Sequence, residues 1–276
     1  MTLCNPLFHK KPRGSTDAVC NVKKTIVLTV LMLFGTFSGA VYSVTIPELW
    51  VMVERGIKTG EHAESEAKAL MEFMRPELDE HYVKNGGVVS AYNPVFPVSG
   101  GLLVDAYRKG YYVRCYNFYK AENCNDHPAV DVFIEDINRD CIDDRYKKPA
   151  DVLSMSPGVV LTVVDGWEPG SLQRGGNIVW VYDPVTKGLF YYAHLKTVAV
   201  CTGQIIPAGH KLGTVGRTGS LAFEKRSQTH LHIMYVKYGK DGAITPQDVS
   251  SFLVKSRRKG EEGMVNPVSE RRVTDE

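Results

Sequence analysis

The pattern of apolar and polar residues changes several times along the chain and predicts four segments. Residues 25–40 form an apolar run after a basic N-terminal stretch, and residues 45–84 are rich in Glu, Ala, Lys, Met and Leu with apolar positions at helical spacing. From Val88 onward, short apolar or β-branched runs alternate with Gly, Pro, Asn and Asp, whereas the residues after Val254 are mostly polar. The predicted segments are a basic stretch with a hydrophobic segment (1–44), a helical neck (45–87), a β domain (88–254) and a disordered tail (255–276).

The N-terminal apolar run is typical of an export signal. Lys23 and Lys24 precede it, and small residues such as Ala40 and Ser43 follow. This arrangement predicts either a signal peptide with a long basic part or a membrane anchor through residues 25–43. The run is shorter than the roughly 20 residues of a comfortable spanning helix, which favours cleavage after Ala40 or Ser43. Either interpretation places the rest of the chain outside the cytoplasm, in the periplasm or cell envelope, with inner-membrane anchoring as the alternative.

The neck is predicted to be helical. Pro47 suits a first helical turn, Pro76 is expected to kink or split the helix, and the Asn-Gly-Gly at residues 85–87 is expected to end it. A spacer or oligomer contact and a helix packed on the β domain are both compatible with this pattern.

The sequence after the neck predicts an antiparallel β domain, because short predicted strands alternate with turn residues. The six residues 183–188 (DPVTKG) separate two of these runs and predict a hairpin loop. The clearest predicted strands are residues 102–106, 111–116, 158–164, 178–182 and 189–193.

Charge and cysteine content narrow the choice of partner and compartment. The 33 basic and 31 acidic residues leave a net charge of +2, so nothing indicates a nucleic-acid partner. Export would place Cys115, Cys124, Cys141 and Cys201 in an oxidising compartment, where we expect pairs Cys115–Cys124 and Cys141–Cys201. Free thiols are the alternative, with Cys124 near enough to His127 to act as a metal ligand.

A His-X-His pair marks the candidate site. His230 and His232 lie in a predicted strand over residues 228–238, and strand geometry points residues i and i+2 to one face, roughly 6 to 7 Å apart. Two converging neutral imidazoles are half of a metal site or of an acid/base pair. Such a pair alone is more often two surface or core histidines.

Further candidate ligands precede this strand. His127 and Asp131 form His-Pro-Ala-Val-Asp. Pro128 argues against a helix, so we expect the two residues to meet through a loop-to-strand bend. His194 ends another predicted strand. Together these residues supply three metal ligands and two spare imidazoles, which is what a zinc hydrolase needs: three N or O ligands, one open position for water, and an acid/base group beside it.

The motifs and their order resemble the lysostaphin-type or LytM-type zinc endopeptidases, also called duplicated-hybrid-motif peptidases, which cut peptidoglycan cross-links. The resemblance extends over about residues 93–236. It implies a mainly β fold, an antiparallel sheet or barrel-sandwich hybrid. The matching stretches are His127 to Asp131 (HPAVD), 157–160 (PGVV), 176–179 (GNIV), 192–195 (YAHL), the Gly-rich segment 203–219, and 230–232 (HLH).

The resemblance also implies individual roles that spacing alone does not give. His127, Asp131 and His232 would hold one Zn²⁺ per chain, whereas His194 and His230 would flank the bound water as acid/base groups. Strand geometry by itself allows both His230 and His232 to be ligands. The implied function is a zinc metalloendopeptidase acting on a peptidoglycan peptide substrate.

The chain departs from the family pattern in three places. Residues 224–229 (EKRSQT) stand where the family has Ser-Thr-Gly-Pro, and we expect this stretch to border the substrate groove. The insert at residues 115–126 includes Tyr116 and Tyr119, either of which is a candidate for helping the oxyanion. A segment at residues 138–148 is also non-standard, and its acidic residues, which predict either a cation site or a solvated loop, are Asp140, Asp143 and Asp144.

Two other functions compete with the enzyme interpretation. The first is a non-catalytic relative that binds and activates another cell-wall hydrolase, but such proteins typically lose ligands, and none of the five positions is lost here. The second is a biotinyl or lipoyl carrier domain or an efflux-pump adaptor protein, which the Gly-Val-Val run and the pattern of residues 203–213 also resemble. The only candidate hairpin lysine of a carrier, Lys187, lacks the flanking carrier motif.

Overall fold

The structure is a computed structural model that describes nine parts of the chain. The predicted strands at residues 102–106 and 111–116 lie outside them, as do Cys115, Tyr116, Tyr119 and Cys124. The described residues are 28–30, 42–44, 64–89, 93–99, 127–171, 173–224, 227–238, 244–250 and 252–256.

The described part of the chain is dominated by one antiparallel sheet, so the prediction of a mainly β domain is confirmed. Its strands are β3 (Val130–Phe133), β4 (Asp151–Leu153), β5 (Gly158–Val164), β6 (Asn177–Asp183), β7 (Gly188–Val198), β8 (Ile205–Ile206), β9 (Lys211–Val215), β10 (His230–Tyr238) and β11 (Ile244–Gln247). The path through the sheet runs β11-β10-β7-β6-β5-β8, with β3 paired to β10 and β9 paired to both β4 and β7. A separate pair is formed by β1 (Leu28–Val30) and β2 (Tyr42–Val44), and the helices are α1 (Glu64–Lys84) and α2 (Ser220–Glu224).

The core lies along the central strands. Every residue of β6 is buried, which explains why its sequence is an almost continuous apolar run without polar alternation. Phe190 and Tyr192 of β7 and Leu231 and Ile233 of β10 fill the same core. The core-facing residues of β10 therefore alternate with His230 and His232, which places both imidazoles on the opposite face.

The predicted hairpin loop joins β6 and β7. Asp183 pairs with Gly188 across the ladder. The buried Asp183 carboxylate accepts hydrogen bonds from the backbone N–H of Val185 at 2.8 Å and the hydroxyl of Thr186 at 2.8 Å. These bonds close the turn, as is typical of Asp at the start of a loop.

The helix of the neck packs on the β domain. Met74, Leu78 and Tyr82 are buried, and Asp79 accepts hydrogen bonds from Tyr182 Oη at 2.8 Å and Lys187 Nζ at 2.7 Å. Of the two interpretations of this helix, the contacts therefore support a helix packed on the domain. Pro76 lies inside α1 and does not split it. The helix ends before Gly86, whose φ is 85°.

The apolar N-terminal run is described only in part. Leu28–Val30 forms a strand in that run, and Tyr42–Val44 pairs with it. Among the described residues, no helix is both long enough and apolar enough to span a membrane. The signal peptide or anchor stays a prediction.

The cysteines contradict one predicted disulfide. Cys201 is disulfide-bonded, whereas Cys141 carries a free, buried thiol. The predicted Cys141–Cys201 pair is therefore wrong. Cys141 lies in a tight loop with a φ of 69°, and its N–H donates to Asp136 Oδ2 at 2.9 Å. The loop is thus fixed by a backbone-to-carboxylate bond. The predicted pair of Cys115 with Cys124 falls outside the described residues.

The acidic segment after β3 is held together by its own hydrogen bonds. Asp143 is buried and accepts from the Arg145 guanidinium at 2.8 Å, and Asp144 accepts from the backbone N–H of Ile137 at 2.7 Å. Asp140 accepts from the N–H of Ile142 at 2.8 Å. The groups suited to a metal ion in the described part of the chain do not include these carboxylates.

Candidate active site

The candidate site is built on one face of β10, where two neighbouring strands flank it. In the sheet register His232 lies opposite Asp131 of β3 on one side and opposite Ala193 of β7 on the other. His230 lies opposite Phe133, and their rings are 5.3 Å apart. The pairing of β10 between β3 and β7 thus brings together residues that are far apart in sequence.

Asp131 is the centre of the cluster. Its Oδ1 lies 3.0 Å from His232 Nδ1, and its Oδ2 lies 3.2 Å from His127 Nε2 and 3.7 Å from His230 Nε2. Burial acts to raise the pKa of this carboxyl, but His230, His127 and His232 outweigh burial and hold its pKa well below the usual range. Asp131 is therefore a carboxylate at neutral pH.

His127, Asp131 and His232 fit a metal ion. One donor atom from each lies within 4.8 Å of the other two. A tetrahedral zinc site with bonds of about 2.0 to 2.1 Å separates its ligand atoms by about 3.3 Å. His127 Nε2 lies 3.2 Å from Asp131 Oδ2 and His232 Nδ1 lies 3.0 Å from Asp131 Oδ1, so both imidazoles lie close to the carboxylate, each at a different oxygen. Two imidazole nitrogens and one carboxylate oxygen are also a donor set that catalytic zinc accepts.

His230 is held by the chain that precedes it. Its Nδ1 lies 2.6 Å from the carbonyl oxygen of Gln228, and because a carbonyl only accepts, Nδ1 carries the proton and donates it. Nε2 is then the free acceptor and points towards Asp131. Burial lowers the pKa of His230 more than the nearby Asp131 raises it. The imidazole is therefore neutral at physiological pH.

His194 reaches the site through a distortion of β7. Its φ is 64°, a left-handed conformation that is uncommon for a residue with a side chain, and the register between β6 and β7 shifts nearby. The ring lies 5.0 Å from that of His230 and 5.4 Å from that of His232. Strained backbone of this kind persists only where its surroundings enforce it.

Residues 175–177 and 218–219, which we call the loop platform, hold His194 in this conformation. The backbone N–H of His194 donates to the carbonyl of Gly175 at 2.9 Å, and Nδ1 donates to the carbonyl of Thr218 at 2.8 Å. The Thr218 hydroxyl accepts from the N–H of Asn177 and donates to the carbonyl of Leu195, at 2.9 and 2.8 Å. His194 therefore has the same tautomer as His230, with Nε2 free.

Burial and neighbouring imidazoles keep His194 uncharged. Burial is the largest effect, His230 and His232 add to it, and together they lower the pKa of His194 to about 3. The His194 imidazole therefore remains neutral well below pH 7.

Glycines allow the platform to close. A Cβ on Gly176 would lie 2.3 Å from Thr218, and one on Gly219 would lie 2.4 Å from the carbonyl oxygen of Arg174. Both glycines also have positive φ, 72° and 98°. The Gly-rich segment was visible in the sequence, and His194 was predicted as a site residue. The roles of Thr218 and Asn177 in the site, and the left-handed conformation of His194, were not predicted.

The structure brings all five predicted site residues together. Two overlapping donor groups can be drawn, His127 with Asp131 and His232, and His194 with His230 and His232. The first contains the carboxylate and the second contains only imidazoles. The division into metal ligands (His127, Asp131, His232) and acid/base groups (His194, His230) stays a prediction.

The chain was compared with models of protein families. Residues 138–246 match the model of peptidase family M23. The matched region contains His194, His230 and His232 and begins after His127 and Asp131. Comparison with curated proteins returned no match.

Among solved structures, the chain is similar to lysostaphin from Staphylococcus simulans, an antimicrobial peptidase, with 21% identity and a TM-score of 0.37 over 66% of this chain and 61% of lysostaphin. The chain therefore spans less than two thirds of the lysostaphin chain. It is also similar to a LytM described as a glycyl-glycine endopeptidase, from Ruminococcus gnavus, with 21% identity and a TM-score of 0.38 over 72% of this chain and 73% of that one. A zinc-containing peptidase from Vibrio cholerae shows 20% identity and a TM-score of 0.30 over 50% of this chain and 36% of that one. The match of residues 138–246 to peptidase family M23 confirms the predicted resemblance over that part of the chain.

Proposed function

We propose that this chain is a zinc-dependent endopeptidase that hydrolyses peptide cross-links of bacterial peptidoglycan. The observation that carries the proposal is the convergence, on one face of β10, of a carboxylate-containing donor group with two further neutral imidazoles. The match to peptidase family M23 supports the same reaction class.

His127, Asp131 and His232 are the residues that would hold one Zn²⁺ per chain. When bound there, zinc supplies a Lewis acid that polarises a carbonyl and lowers the pKa of water from 15.7 to about 7. The low pKa of Asp131 suits this role because a ligand carboxyl must be deprotonated.

His194 and His230 handle protons in this proposal. Each donates its Nδ1–H to a backbone carbonyl, which fixes the ring and leaves the Nε2 lone pair available. Both rings are buried and neutral, so either can take a proton from the attacking water as general base. The protonated imidazole then has an N–H to donate to the oxyanion or to the leaving amine.

The location of the substrate agrees with the predicted export of the chain. Peptidoglycan lies outside the cytoplasm, and the predicted signal peptide or anchor at residues 25–43 would deliver the β domain there. We propose a periplasmic or cell-envelope location on this ground.

The two competing functions receive less support from the contacts. A non-catalytic activator has no need for five converging titratable groups, whereas here all five are present and close. A carrier domain needs a free lysine at a hairpin tip, but Lys187 Nζ is 2.7 Å from Asp79 of α1. The lysine of this hairpin therefore forms an ion pair with the neck helix.

Digestion of purified sacculi tests the proposal and separates it from the activator. The full chain should release soluble peptidoglycan on its own, and mass spectrometry should find new peptide amino termini with intact glycan strands. An activator would release nothing alone and would increase release only when another wall hydrolase is added. That second pattern would contradict the proposed function.

A further inference from the structure

The residues directly before β10 depart from the family pattern, and the side chain of Arg217 contacts them. Residues 224–229 replace Ser-Thr-Gly-Pro, and they end at Thr229, directly before His230. Gln228 in this stretch accepts the hydrogen bond that fixes His230. The orientation of one carbonyl group therefore sets which nitrogen of His230 faces the site.

Arg217 contacts α2 and the end of this stretch next to β10. Its Nη2 donates to the carbonyl of Ala222 in α2 at 3.2 Å, and its Nη1 donates to the carbonyl of Ser227 and lies 3.5 Å from Thr229 Oγ1. These partners bracket Gln228 on both sides. The planar guanidinium can hold several acceptors in a fixed geometry, which the ammonium of lysine cannot reproduce.

The position of Arg217 is itself fixed against the other proton-handling histidine. Gly216 precedes it, and a Cβ there would lie 2.3 Å from the backbone nitrogen of Lys196 and 2.7 Å from the carbonyl oxygen of His194. Thr218 follows it and accepts the Nδ1–H of His194. One short segment thus places both histidines: His194 through Thr218, and His230 through Arg217.

Thr229 makes further contacts that do not involve Arg217. Thr229, which is 1% exposed, donates its hydroxyl to Asp136 Oδ2 at 2.6 Å, and its carbonyl accepts from the backbone N–H of Ile134 at 3.2 Å. Thr229 is therefore anchored to the segment after β3 independently of Arg217. On the other side of Gln228, the Ser227 hydroxyl donates to the carbonyl of Ala222 across a longer 3.4 Å, so the charged Arg217 donor is the stronger restraint there.

We infer that Arg217 is a positioning residue for His230: by bracketing Gln228 it holds the carbonyl that keeps His230 in the Nδ1–H tautomer with Nε2 towards the site. The inference rests on the proposed role of His230 in proton handling. It assigns to Arg217 the restraint of residues 227–229, which include no proline or glycine. Arg217 acts through Gln228 and His230, not on the reacting atoms.

Substitution of Arg217 in the full chain tests this inference, with zinc content, steady-state kinetics and ring ¹⁵N shifts of labelled histidines as readouts. Arg217→Ala should keep one zinc per chain, lower kcat about 10- to 100-fold with little change in KM, and give His230 a mixture of tautomers. Arg217→Lys should restore part of the loss. The control is Lys237→Ala, which removes an exposed positive charge from β10, the strand that contains His230. This variant should behave as wild type.

Several outcomes would overturn the inference about Arg217. A zinc-loaded Arg217→Ala with wild-type kcat and an unchanged Nδ1–H signal for His230 would show that Arg217 does not position the ring. If Arg217→Ala does not fold, Arg217→Lys decides, because a wild-type tautomer and kcat in that variant would exclude the need for the guanidinium fork. If the wild-type chain cuts no peptidoglycan, the proposed function fails, but the tautomer measurement still tests the link from Arg217 to His230.

Discussion

Asp131 and His232 face each other directly across the β3–β10 ladder, with Oδ1 and Nδ1 3.0 Å apart. A register slip of one residue would point one of the two away from the site. The pairing of buried apolar neighbours, Val132 with Leu231 and Val130 with Ile233, fixes this register. Core packing on one face of the sheet thus aligns the candidate metal ligands on the other.

Replacing Asp131 by Asn should remove zinc while keeping the fold. The amide has nearly the same shape but lacks the negative charge that would neutralise the ion. We expect at least about a 10- to 100-fold loss of zinc affinity, measured by competition with a chelating dye. Asp151→Asn, at a half-exposed pair with Lys211 outside the site, is the control. Wild-type zinc affinity in Asp131→Asn would exclude the carboxylate as a ligand.

Alanine at His194 and at His232 should separate the two proposed roles. His194→Ala should keep one zinc per chain and lose turnover by about 10²- to 10⁴-fold, which is the usual contribution of a general acid/base. His232→Ala should lose both zinc and turnover. Metal analysis and release of soluble peptidoglycan by the same preparations check this. An empty metal site in His194→Ala would move His194 into the ligand set.

Gly219→Ala should damage the platform under His194. The residue has a φ of 98°, and its new Cβ would lie 2.4 Å from the carbonyl oxygen of Arg174. Gly166→Ala is a matched control, because Gly166 has a φ of 79° and a Cβ added there would meet nothing within 4 Å. Positive φ destabilises both variants by about 1 kcal/mol or more. Only Gly219→Ala should also lose activity in the peptidoglycan-release assay. Equal losses of activity in the two would argue against the platform.

The stability of the metal-free protein should fall as pH decreases from about 6.5. An unfolded histidine has a pKa of about 6.5, whereas burial first, and then the neighbouring imidazoles, lower the pKa of folded His194 to about 3. Between these values the unfolded state binds a proton that the folded state does not, so the free energy of unfolding drops by up to about 1.4 kcal/mol per pH unit. Burial also lowers the pKa of folded His230, so His230 contributes to the fall in stability in the same direction.

Urea unfolding in the presence of a chelator, at pH values between 7 and 5, measures this dependence. The low pKa of Asp131 contributes in a different range, because its stabilisation is lost only as pH falls below the usual carboxyl value of about 3.9. His194→Gln should reduce the slope by about one proton. An unfolding free energy that is constant between pH 7 and pH 5 would contradict the buried neutral state of His194.

The strands and the site residues were predictable where a local pattern carries the information. The predicted strand at residues 158–164 coincides with β5, and the His-X-His spacing places His230 and His232 on one face of β10. Motif order predicted that His127, Asp131 and His194 would join them. These features depend on strand periodicity and on short motifs, both of which are visible in one sequence.

The features that escaped prediction depend on contacts between distant segments. The left-handed conformation of His194 results from hydrogen bonds to Gly175 and Thr218, which no local pattern reveals. The Cys141–Cys201 pairing was wrong because cysteine spacing does not determine connectivity. Pro76 stays inside α1 because packing of that helix on the domain outweighs the intrinsic cost of an internal proline.

The proposed zinc peptidase is best tested by the zinc content of the purified full chain, measured together with chelator-sensitive digestion of sacculi. We expect one zinc per chain, release of soluble peptidoglycan with new peptide amino termini, loss of release on chelation and recovery when zinc is added back. A chain that carries no zinc and leaves sacculi intact, while a purified M23 peptidase digests them in parallel, would show that the proposal is wrong.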